Sequence, residues 1–144
     1  MTVASGSYTY STLEVAKKGT VNVQGGELNV TDLAFSAGKE NNEGKVTVEN
    51  GGSLNINGSL TAGGAAEGAL TNDGILKLDY KNFFNRTEDG QGWTPEDSNI
   101  DLVGGTGVLD LTGFTESYTL ERLKQIQDLF GEGMQVSLSE GTLN

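Results

Sequence analysis

Residues 19–80 state one pattern twice and begin it a third time. Gly19, Gly44 and Gly68 open the copies, at spacings of 25 and 24 residues. Val21-x-Val23 recurs as Val46-x-Val48, Leu28-x-Val30 as Leu54-x-Ile56, and Leu33-x-Phe35 as Leu60-x-Ala62. Alternation with period two places each apolar pair on one face of a strand, with Asn22, Asn29 and Thr47 on the other. A three-residue strand cannot bury that face alone. Stacking the copies solves the problem, because each lays its Val and Leu side chains on the copy below. The fold expected is therefore all-β, a parallel coil of short strands.

The links between alternations agree with this. Gln24-Gly25-Gly26-Glu27 and Glu49-Asn50-Gly51-Gly52-Ser53 are rich in residues that turn sharply. The second is one residue longer, which a bulge at the corner can absorb. Gly-Gly corners also suit hairpins. A meander, however, gives no reason for a strand to resemble the one about 25 residues away.

The rest of the chain is read against the repeat. Residues 1–7 are small and polar, and are expected to fray. Tyr8-x-Tyr10 and Leu13-x-Val15 alternate, the latter as the third alternation of an incomplete copy. Lys17-Lys18 forms the corner into Gly19. In the partial third copy Leu70 takes the place of Val46 and Asn72 that of Val48, before Leu76-x-Leu78-x-Tyr80. Copies are thus expected over 8–80 and again over 101–114, where Leu102 and Val103 return and Val108 or Leu109, with Leu111, resume the pattern. Residues 85–100, with the chain's one Trp and one Pro, have no period and form an excursion. Over 117–130 the spacing of Leu120, Leu123 and Phe130 predicts a short amphipathic helix capping the coil. Ser117 or Thr119 would start it, and Gly131 and Gly133 end it. A final strand is expected over 134–139 and another corner at Gly141. All 144 residues make one domain.

Composition excludes several functions. The net charge of −11 opposes binding to phosphate-rich nucleic acid or an anionic membrane surface. With no His and no Cys, the usual nucleophilic triads and most zinc sites are excluded, and no disulfide is possible. No run is long enough to span a bilayer. MTVASGSYTY has neither the basic start nor the apolar run of a secretory leader. The chain is expected to be a fragment of a larger protein.

Residues 19–80 resemble the passenger region of bacterial autotransporter adhesins. Corners of the type V-x-x-G-G-x-L-x-[VI], here Val48 to Ile56 and, one residue shorter, Val23 to Val30, recur along such passengers. The resemblance covers about half the chain and extends to 104–114. It implies a right-handed parallel β-helix, secreted and displayed on the Gram-negative cell surface as part of a larger protein. The role implied is adhesion or aggregation, with a host or bacterial surface protein or glycan as partner and self-association open.

Candidate site residues gather in the excursion. Trp93 offers a platform for a sugar ring or a protein, or folds back over Phe83 and Phe84. Glu88, Asp89, Glu96, Asp97 and the adjoining Asp101 could include a carboxylate pair for glycoside hydrolysis. No spacing singles two of them out, and a solvated acidic loop is expected. GGTGVLDL at 104–111 approaches a calcium nonapeptide, but Leu109 fills its Asp position and Asp110 comes one place late. Asn29, Asn57 and Asn85 head glycosylation sequons, as composition alone would produce. Neither a cofactor nor a metal is expected. The function expected is a non-enzymatic interaction module, binding through the outer faces rich in Asn and Thr and through the 85–100 loop. A polysaccharide-acting β-helix enzyme, a phage fibre domain and a plain spacer are the alternatives.

Overall fold

The computed structural model describes residues 1–36, 42–79, 102–112, 114–118, 127–128, 133–138 and 141–143. The described residues are mostly β, and their strands pair in parallel. The first sheet is five-stranded, in the order β1 (Thr2–Val3), β3 (Thr20–Val23), β5 (Lys45–Val48), β8 (Leu70–Asn72) and β10 (Val103–Gly104). The second is seven-stranded. It runs from β13 (Gln135–Leu138) through β11 (Val108–Thr112), β9 (Ile75–Asp79), β6 (Ser53–Ile56) and β4 (Glu27–Phe35) to β2 (Ser7–Val15). In it β7 (Leu60–Thr61) pairs separately with β4. A small third sheet pairs β12 (Phe114–Tyr118) with β14 (Gly141–Leu143).

The register is that of the repeat. Val21 and Val23 pair with Val46 and Val48, and Leu28 and Val30 with Leu54 and Ile56. Leu13 and Val15 lie beside Leu33 and Phe35, and Leu33 beside Leu60. Leu70 and Asn72 occupy the places next to Val46 and Val48. Between β5 and β8 and their successors the chain takes 24 residues per layer, then 33 from Leu70 to Val103. The longer interval leaves β9 and β11 paired in register. The inward column of the second sheet is Leu28, Leu54, Leu76 and Leu109, each 0 % exposed. At 108–111 the structure selects Leu109 and Leu111 as the buried pair, with Val108 half-buried on the outer side.

Four expectations are corrected. The helix over 117–130 is not seen: Ser117 and Tyr118 belong to β12, and among the described residues only Gln127 and Asp128 are helical. Residues 119–126 and 129–130 lie outside the described residues. The first residues form a strand, because Val3 finds an apolar place against Val23 and is buried. Gly141 starts β14 instead of making a corner. Finally, most corner glycines are not there for positive φ. Gly51 has φ +98°, which accommodates the extra residue of its corner, but Gly26, Gly52, Gly74 and Gly107 do not have positive φ.

Those four glycines stack. The carbonyls of Gly26, Gly52, Gly74 and Gly107 accept from Ser53, Ile75, Val108 and Gln135 N–H of the next layer, at 2.8–3.0 Å. A Cβ at Gly52 would collide with the Val23 carbonyl, and one at Gly107 with that of Gly74. Close approach of backbone between layers is what demands glycine here.

Candidate functional site

The glycine line leaves a trench on the outside. Its floor is backbone, since no side chain can be carried there. Asn50, Asp73 and Thr106, from the turns, contribute an amide, a carboxylate and a hydroxyl to its lining. Ile75, Val108 and Gln135, the first residues of β9, β11 and β13, flank the glycines on the other side. The trench encloses about 740 Å³. Ile75 is 45 % exposed within it, an outward position that burial does not explain. Asp73 is fixed: its Oδ1 accepts from Thr106 N–H at 3.0 Å and Thr106 Oγ1 at 3.2 Å. The trench thus sets a rigid polar lining beside an apolar one, a combination that suits ligands with both kinds of face.

Asp32 repeats the same device at another corner. Its Oδ1 accepts from Ser59 N–H at 3.0 Å and Ser59 Oγ at 2.8 Å. These two bonds, the hydroxyl first, hold the Asp32 carboxyl below the usual value of 3.8 by favouring the charged form.

Beside the trench the seven-stranded sheet presents a polar ladder. Thr9, Asn29, Asn55, Lys77 and Asp110 stand in register across five strands. Asn55 Nδ2 donates to Asn29 Oδ1 at 2.7 Å, and Asn29 Nδ2 donates to Glu27 Oε1 at 2.8 Å. Asp110 of the calcium-like segment is a member of this ladder, opposite Lys77.

Two asparagines are internal. Asn42 is 2 % exposed and fully satisfied. It donates to Val15 O, Ser36 O and Ser36 Oγ at 2.9–3.1 Å and accepts from Gly44 N–H at 2.7 Å. Asn72, 0 % exposed, donates to Val108 O at 2.8 Å, while its Oδ1 is buried without a partner. Neither role is legible in the sequence: Asn42 lies outside the apolar alternation, and Asn72 simply takes the place of Val48 in it.

Of the candidates named from sequence, Trp93, Glu88, Asp89, Glu96, Asp97 and Asp101 lie outside the described residues. Among the described residues no group of three or more acidic side chains is placed to hold a metal, and no helix is long and apolar enough to cross a membrane. The ladder lies on the outer faces rich in Asn and Thr that the sequence marks as a binding surface, whereas the trench and the Asp73–Thr106 cap were missed. Their signal was available in the outward positions of each copy, once the pairing partners were known. No protein-family model, curated protein or solved structure matches the chain.

Proposed function

We propose that the chain is a right-handed parallel β-helix that serves as a non-enzymatic interaction module of a secreted, surface-displayed bacterial adhesin, mediating adhesion or aggregation. The observation that carries this reading is the registered parallel pairing of successive copies, Val21 on Val46 on Leu70 and Leu28 on Leu54 on Leu76. Parallel strands joined by crossovers are almost always right-handed. Such a stack extends outer faces at constant spacing, and the ladder and the trench are its contact surfaces. A single polar contact row binds weakly, and many copies on one cell convert it into firm attachment. The partner is a surface protein or glycan of a host or a neighbouring bacterium.

The polysaccharide-cleaving alternative makes a different demand, two convergent carboxylates. Among the described lining residues of the trench there is one, Asp73, with Oδ1 tied to Thr106. The test uses beads coated with the chain at graded density and offered to bacterial and epithelial cells. Attachment should rise more steeply than coating density and be competed by excess free chain. Absence of attachment at every density, or release of new reducing ends from a polysaccharide panel, would overturn the adhesive reading.

A further inference from the structure

The chain contains two Asn-Gly pairs, Asn50-Gly51 and Asn57-Gly58, which the dipeptide alone does not tell apart. The fold separates them. Both asparagines are exposed, and neither side-chain amide is hydrogen-bonded among the described residues. They differ in the backbone nitrogen that follows. Gly58 N–H donates to Thr31 O at 2.7 Å, and Asn57 N–H donates to Val30 O at 2.9 Å. A Cβ at Gly58 would collide with the Thr31 carbonyl and with Asp32 Oδ1. The Asn57–Gly58 peptide is thus clamped against the neighbouring layer.

At the other pair, Gly52 N–H donates to Glu49 O at 2.8 Å and closes a turn with Asn50 and Gly51 at its centre. Gly51 has φ +98° and the φ of Asn50 is not positive, the pattern of a type II turn. The bond that closes such a turn leaves the central amide unused. Gly51 N–H has no acceptor among the described residues. The atom nearest to an added Cβ at Gly51 is Gln24 O, at 3.6 Å, so this peptide has room to rotate. Without a Cβ of its own, Gly51 also leaves its nitrogen open to the preceding side chain.

We propose that Asn50 is a site of spontaneous covalent modification, deamidation through the Gly51 nitrogen, and that the fold holds Asn57 inert. A base in the solvent takes the proton of Gly51 N–H. The nitrogen then attacks Asn50 Cγ, a new C–N bond closes a five-membered imide, and the side-chain nitrogen leaves as ammonia. One water opens the imide. Addition at Cγ restores the original peptide link and leaves Asp. Addition at the former backbone carbonyl leaves isoaspartate, whose main chain runs through Cβ and Cγ. No other reactant is needed. Asn57 cannot follow this course until Gly58 N–H has left Thr31. Asn50 lines the trench together with Asp73, so either product adds a carboxylate to that lining. The reaction goes beyond the adhesive reading, and its readout is chemical, so neither depends on the other.

The folded chain should be aged at mildly alkaline pH, with a parallel sample in concentrated urea. Fragment-ion mass spectrometry assigns each exchange of amide for carboxyl to its residue, and an isoaspartate-specific methyltransferase reports the rearranged product. In the folded chain Asn50 should react at least tenfold faster than Asn57, and isoaspartate should form. In urea the two rates should converge, because both nitrogens are then free. Asn50→Gln, which would need a larger ring, should abolish the folded-state product. Four results would each overturn the proposal: an Asn50 that survives in the folded chain but reacts in urea, equal rates in the folded chain, an Asn57 that stays inert in urea, or Asp as the sole product, which would mean that Gly51 N is not the nucleophile.

Discussion

Asn55 Nδ2 lies 2.7 Å from Asn29 Oδ1, joining residues 26 apart in sequence on the outer face of adjacent strands. Directly beside them Leu28 and Leu54 pair on the inner face, both 0 % exposed. The two faces predict two very different outcomes. Leu54→Asp places an unpaired charge in the column and should cost roughly 4 kcal/mol or more, enough to unfold the chain. Asn55→Asp removes a donor that Asn29 cannot replace by rotating, because its own amide is held by Glu27. Lys77, the next residue in register, offsets part of this loss. A cost of about 1 kcal/mol is expected. Urea denaturation of both variants checks the difference, and equal losses would mean that the face assignment is wrong.

The glycine line makes a second contrast. A Cβ at Gly74 would meet the carbonyls of Glu49 and Gly52, backbone that cannot give way. Gly104 has open space and ordinary φ. Gly74→Ala should therefore separate two layers and cost about 2–4 kcal/mol, the range of overpacking with lost hydrogen bonds. Gly104→Ala should be neutral or stabilise by a few tenths of a kcal/mol through the unfolded chain. Thermal melts of the two single variants measure this directly.

The parallel register was readable from sequence because side-chain alternation repeats at a fixed interval, and stacking like on like is the one way such short strands bury their Val and Leu. Val21 on Val46, Leu13 on Leu33 and Leu70 on Val46 all follow from it. What periodicity cannot report is the other partner of each residue. Tyr8 and Tyr10 alternate like Leu28 and Val30, but burial also needs a neighbour on the far side, so they remain exposed at the sheet's edge. The glycines were legible as corners but not as a close-packed line, since backbone approach between layers leaves no pattern beyond glycine itself. The 117–130 spacing fits a helix, yet 117–118 continue a strand that β14 pairs with, a tertiary partner that local spacing does not contain.

Asn72 should reveal the polarity of its surroundings through pH. Asn72→Asp puts a carboxyl at 0 % exposure, facing Val108 O at the place where Nδ2 now donates. The charged form is disfavoured by burial and by the carbonyl, so the folded-state pKa is raised above the unfolded value. A raised pKa stabilises below the unfolded value and is lost as pH rises through the folded one. The variant should thus lose several kcal/mol at neutral pH and recover much of it in acid, where the protonated acid can donate to Val108 O. A denaturation midpoint independent of pH between acid and neutral would show that the introduced carboxyl has escaped to solvent.

Asp32 should behave in the opposite sense. Its pKa is lowered from 3.8 by Ser59 Oγ and Ser59 N–H. Its contribution is therefore present above the unfolded value and disappears as pH falls through the folded one, on the acid side of 3.8. Carbon-detected titration of the carboxyl should find it below the ordinary Asp range. Ser59→Ala should bring it part of the way back, since the backbone N–H remains. A carboxyl that titrates normally in the native chain would mean that the Asp32–Ser59 cap does not form in solution.

The last prediction separates folding from binding in the trench. Ile75 and Leu76 are neighbours in β9, but Ile75 is 45 % exposed toward the trench and Leu76 is 0 % exposed toward the core. Leu76→Asp should unfold the chain for the same reason as Leu54→Asp. Ile75→Asp removes β-branched packing against Ser53 and Val108, the residues in register with it. That should cost about 1 kcal/mol, the span of strand propensity, and leave the fold intact. It also sets a second carboxylate near Asp73, where the apolar side of the trench now lies. If the trench is the contact surface of the adhesin, cell attachment of beads coated with Ile75→Asp should fall at least tenfold at equal coating density. The melting temperature should drop by only a few degrees. Asn55→Ala, on the ladder, is the matched control, since it too removes one outward side chain of the same sheet. Undiminished attachment by Ile75→Asp would remove the trench from the binding surface. A loss with Asn55→Ala alone would transfer the role to the ladder.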